Sequence, residues 1–135
     1  MSAVSTEGIN PSAERLADGL WIVHFPTIES VTAELCQPLV APLIAASKAG
    51  PIVLLGHLPL GLRLVPVAMA PFWLNAFLLK GVRVRAVGVT ATSRAVRVVV
   101  AGVGAAMGLR ENPIKVQVLV TLEELIAWGH LQLKP

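Results

Sequence analysis

Few side chains in this 135-residue chain can do chemistry. His24, His57, His130 and the single cysteine, Cys36, are the candidates for metal ligation or nucleophilic work. A zinc site needs ligands at short spacings of the CxxC, HxxxH or HExxH kind. None occurs here, so no metal and no other cofactor is expected. Cys36 falls on the apolar side of an expected helix, where cysteine acts as a small hydrophobe, and there is no GxSxG elbow. Glu123 and Glu124 open an expected helix, whose dipole explains them. Without paired carboxylates in a plausible cleft, general acid–base work has few candidates, and no catalytic residue is assigned. One arrangement stays open. His24 lies in an expected strand and His57 just after another, so the two imidazoles could meet at the carboxyl ends of neighbouring strands. They are read either as satisfied structural histidines or as the core of an enzyme site.

The elements that must position these residues follow from periodicity and punctuation. Residues 1–19 read as a flexible N-terminal arm, and residues 20–135 as one α/β domain. Leu20 to Phe25 is a short apolar strand. Ser30 to Ala49 reads as a helix, with Pro38 and Pro42 predicting a bend near Cys36 or a fresh start. Pro51 to Leu55 suits a strand buried on both faces. Val67 to Leu79 is helical, with Pro71 a local disturbance. Val82, Val84 and Ala86 alternate with Arg83 and Arg85 in a third strand. Thr92 or Ser93 caps a helix that buries Val96, Val99, Val100, Val103 and Met107. Its Gly102, Gly104 and Gly108 suggest close approach to the sheet. Asn112-Pro113 is a turn, Ile114 to Val120 a fourth alternating strand, and Thr121 caps a last helix. The expected fold is α/β: a single layer of about four mostly parallel strands alternating with about four helices.

Composition narrows the classes further. Apolar residues make up 55% of the chain and charged residues only 14%. The longest charge-free stretch, Leu64 to Leu79, holds Pro66, Pro71 and Asn75, and is short of the roughly 20 apolar residues a spanning helix needs. No transmembrane segment is expected, nor a signal peptide, since the start lacks a basic and then an apolar region. Cys36 alone allows no internal disulfide, and a cytoplasmic protein fits. Residues 51–115 carry eight basic side chains against Glu111 alone. Among them Arg83, Arg85, Arg94 and Arg97 form a candidate basic surface, either for an anionic partner or simply for solubility. Nucleic acid is not an expected partner, because the aromatics sit in apolar runs. GVGAAMG misplaces the third glycine of a GxGxxG and lies inside a helix.

The order of elements, with VGVTATSRAV and the closing IKVQVLVTLEELIAW, resembles the STAS-like domains: the anti-sigma-factor antagonist fold and its CRAL-TRIO-related group. The resemblance covers roughly Leu20 to Leu131 and implies a non-enzymatic scaffold or regulatory domain. Such a domain acts through a protein partner, self-association, or both. The phosphoregulated members carry an Asp-Ser type loop after the central strand. Here that stretch is GHLPLGLRLVP, which offers no hydroxyl and no aspartate, so no phosphoswitch is implied. Leu58, Leu60, Leu62, Arg63 and Leu64 in this loop are the candidate partner-binding residues, unless the leucines fold back onto the core. The alternative function is binding of a lipid or another apolar ligand, with space for it under the helix that bears Phe72 and Phe77.

Overall fold

The computed structural model describes residues 11–25, 33–58, 69–108 and 114–134. Its strands are β1 (Ser12–Ala17), β2 (Leu20–His24), β3 (Ile52–His57), β4 (Val84–Thr90) and β5 (Lys115–Leu119). Its helices are α1 (Ala33–Ala46), α2 (Met69–Leu78), α3 (Arg94–Gly108) and α4 (Leu122–Gln132). The five strands form one sheet in sequential order, β1 antiparallel to β2 and the rest parallel.

Sequential order decides where the helices lie. Parallel crossovers are right-handed as a rule, and each one here steps one strand in the same direction. The three connecting helices therefore share a face. There α1 contributes Cys36, Leu39, Val40 and Leu43, α2 contributes Met69, Ala76 and Phe77, and α3 contributes Val96, Val100 and Met107. The alternate residues of the strands point the other way. Leu20, Ile22, Val53, Leu55 and Ala86 form a second core, which α4 covers with Leu125 and Trp128.

The mostly parallel α/β sheet matches expectation, but three local readings need correction. Within the expected N-terminal arm, Ser12–Ala17 forms a fifth strand. An Asp18-Gly19 turn folds it back on β2, and Gly19 takes the positive φ (78°) that such a tight hairpin requires. Next, α1 runs unbroken through Pro38 and Pro42. Both prolines are exposed and four residues apart, so the carbonyls that lose a partner face water. Pro71 likewise costs little, because it sits in the first turn of α2, where the N–H has no helical acceptor anyway.

The third correction concerns β4. Strict alternation would place Val82, Val84 and Ala86 on one face. Instead the register against β3 steps from Ile52↔Val84 to Val53↔Ala86, an inserted residue at Arg85. Val82 and Val84 stay in the three-helix core, whereas Ala86 turns to the α4 side. Of the α3 glycines, only Gly104 lies close to the sheet, against Val116, while Gly102 and Gly108 face open space. The closest approaches are made elsewhere, by Gly88 and Gly129. Trp128 packs on Gly88, and Leu20 and Leu55 pack on Gly129.

Candidate functional site

The parallel register of β2 and β3 pairs His24 with His57 at the carboxyl end of both strands. The imidazoles meet, with Nδ1 of one 3.1 Å from Nδ1 of the other. Their planes are nearly perpendicular at 82°, with ring centres 5.3 Å apart. On its other side His24 Nε2 lies 3.3 Å from Glu14 Oε1, a side chain delivered by β1. The meeting of the two histidines that the sequence left open is thus found, with a carboxylate behind it. Burial pushes His57 below its ordinary value of 6.5, and positive charge on His24 adds to the shift.

His57 also borders a cleft of about 250 Å³, walled by the ends of β3 and β4 and the start of α4. Thr90 is buried there, and its hydroxyl accepts a hydrogen bond from the Leu58 N–H at 2.9 Å. Thr121 caps α4 in a capping box. Its hydroxyl accepts from Glu124 N–H, and Glu124 Oε1 accepts from Thr121 N–H. Ser93 caps α3 by accepting from the Val96 N–H at 3.5 Å.

A second space lies on the opposite face of the sheet. It measures about 120 Å³ and is lined by Val23, Leu54, Trp73, Phe77, Val100 and Val116, among others, with no charged side chain among the described residues of its wall. Trp73 stacks edge-on with Phe72 and leans on Phe77, with ring centres 5.2 and 5.8 Å away. It also hydrogen-bonds Cys36, whose thiol burial pushes up to about 11. A cysteine held this far into the neutral form is no nucleophile.

Among the partner-binding candidates, Leu60, Leu62, Arg63 and Leu64 lie outside the described residues. Leu58 is half-buried and packs against the three-helix core, as expected for a leucine that folds back. The basic candidates fall into two pairs. Arg83 and Arg85 are exposed at the amino end of β4, Arg94 and Arg97 at the start of α3 beyond its carboxyl end. A strand of this length separates the pairs by roughly 20 Å at about 3.3 Å per residue. Among the described residues no group of three or more potential ligands could hold a metal ion, and no helix is long and apolar enough to cross a membrane.

Glu14 and Thr90 escaped the sequence reading. The signal for Glu14 was the Asp18-Gly19 turn, which makes a hairpin of the arm and brings it beside His24. Thr90 sits at the end of a strand with nothing around it to mark its hydroxyl. No family model, no curated protein and no solved structure matches this chain.

Proposed function

We propose that this chain is a non-enzymatic STAS-like binding domain, without a phosphoswitch, that takes a small apolar ligand beneath α2. The observation that carries the reading is the space of about 120 Å³ between the sheet, α2 and α3. Well-packed interiors leave few voids larger than a water molecule. A dry apolar cavity of roughly 150 Å³ suffices to hold benzene. That magnitude also limits the ligand: the space takes a ring or the end of an acyl chain, and a whole lipid exceeds it. The STAS-like part of the reading rests on the alternation of elements and on the IKVQVLVTLEELIAW close.

Toluene is the probe. Titrated into protein labelled at valine methyls, it should shift Val23, Val100, Val103 and Val116 in a saturable way. Val103→Phe puts a ring into the same space and should abolish the response. Valine methyls that stay unmoved by toluene would remove the proposal.

Association with a protein or a second copy is the companion reading. Leu78 and Leu79 are adjacent and exposed at the end of α2, Leu79 to 81%. A side chain of that kind stays in water only at some cost in free energy. Light scattering over a wide concentration range tests the self-associating form, and a monomer throughout would dismiss it.

A further inference from the structure

The contact between His24 and His57 has a direction, and the direction reaches the cleft. The 5.3 Å between ring centres nearly equals the 3.1 Å between nitrogens plus one ring radius on each side. The two Nδ1 atoms therefore face each other head-on. A zinc ion sits about 2.0 Å from each imidazole nitrogen, so it cannot lie on the line between two nitrogens at that separation. What fits is a proton, donated by one ring and accepted by the other.

Glu14 decides which ring donates. A carboxylate only accepts, so His24 Nε2 must carry hydrogen to bond it. A neutral His24 then has a bare Nδ1, which can only accept. His57 must donate from its own Nδ1, and its Nε2 is left bare. The other ring nitrogen of His57, which His24 does not engage, is thus a hydrogen-bond acceptor, in a side chain that borders the cleft of about 250 Å³.

We propose that this cleft is a second ligand site, for a small neutral molecule with an apolar body and an O–H or N–H donor, such as an aromatic alcohol, anchored on His57 Nε2. The rest of the wall fits that chemistry. Leu58, Ala91, Val120 and Leu122 supply apolar surface and Thr92 a hydroxyl, while that of Thr121 already accepts from the Glu124 N–H. The Thr90 hydroxyl is already engaged by Leu58. An anion is disfavoured twice: it meets the lone pair of a bare nitrogen, and Glu124 already occupies the N–H groups of Val120 and Thr121. Glu14 and His24 are positioning residues, since they act through His57. The site lies on the α4 side of the sheet and shares Leu58 with the wall of the apolar cavity, but it does not require a ligand there.

Long-range proton–nitrogen spectra of the imidazoles at about pH 8, where free histidine is neutral, test the tautomer directly. His57 should appear with hydrogen on Nδ1 and a bare Nε2. In His24→Ala that preference should disappear. Phenol should then move the His57 Nε2 resonance and the Thr92 and Leu122 amides in a saturable way, and toluene should leave them in place. In His57→Ala the phenol response of those amides should be lost. The tautomer and phenol measurements on the unaltered chain stand even if that variant fails to fold. A His57 protonated on Nε2 overturns the proposal. So does a phenol response that is missing or no larger than that of toluene.

Discussion

The indole of Trp128 lies where Gly88 would carry a side chain, 2.7 Å from the position of an added β-carbon. This contact lets α4 settle on the sheet, since Gly88 is the one glycine of β4 and lies directly under the ring. An alanine there would have to push back a rigid aromatic that is itself wedged beside Leu125. Overpacking of this kind costs about 1–3 kcal/mol. Gly88→Ala should lower the urea midpoint accordingly, and Trp128→Leu in the same chain should restore part of the loss. Independent, additive effects of the two substitutions would show that the ring is not what the alanine meets.

Stability should also depend on His57. Its folded-state affinity for protons is depressed below the ordinary 6.5, by burial first and by His24 second. Between the folded and the ordinary value the unfolded chain binds more protons, so stability rises with pH across that window. The contribution is complete above about pH 6.5 and is lost as pH falls through the folded value. Denaturant melts at several pH values should show this slope, and His57→Gln should flatten it. A variant with an unchanged slope would place the pH dependence elsewhere.

Cys36 predicts the opposite behaviour in alkali. Its side chain is fully buried, and its thiol is pushed from 9.0 up to about 11. The folded state holds the proton longer than the unfolded one. The stability due to the neutral thiol is therefore complete below pH 9.0 and is lost as pH rises toward 11. Near neutrality the native protein should react with iodoacetamide only as fast as it opens. Modification at the rate of a free thiol would show that the region between α1 and Trp73 is open to solvent.

How much of this was legible in the sequence depends on the range of the interactions. Thr121 could be read as a cap because the capping box lies within one turn of chain, from Thr121 to Glu124. Val96, Val100 and Met107 could be read as a buried face because helical periodicity is local. The end-of-strand positions of His24 and His57 were readable for the same reason, and parallel pairing did the rest. Arg85 was unreadable as a bulge, since nothing in VRVRAVG marks the point where β3 steps out of register. The α3 glycines attracted attention by their number, yet the tight contacts belong to Gly88 and Gly129, whose neighbours come from distant segments. Pro38 and Pro42 misled because their cost depends on exposure, which a sequence does not display. Asp18-Gly19 did carry a local hairpin signal, and with it the position of Glu14.

The extra residue at Arg85 acts as a frame setter for everything downstream in its strand. Drawn into the ladder as a paired residue instead of bulged out of it, Arg85 would turn β4 inside out beyond that point. Val87 and Val89 would then stand beneath the tryptophan of α4, and Ala86 and Gly88 would be left to fill the wall of the apolar cavity. Both spaces thus depend on Arg85 staying out of the ladder with β3, more than on the identity of its side chain.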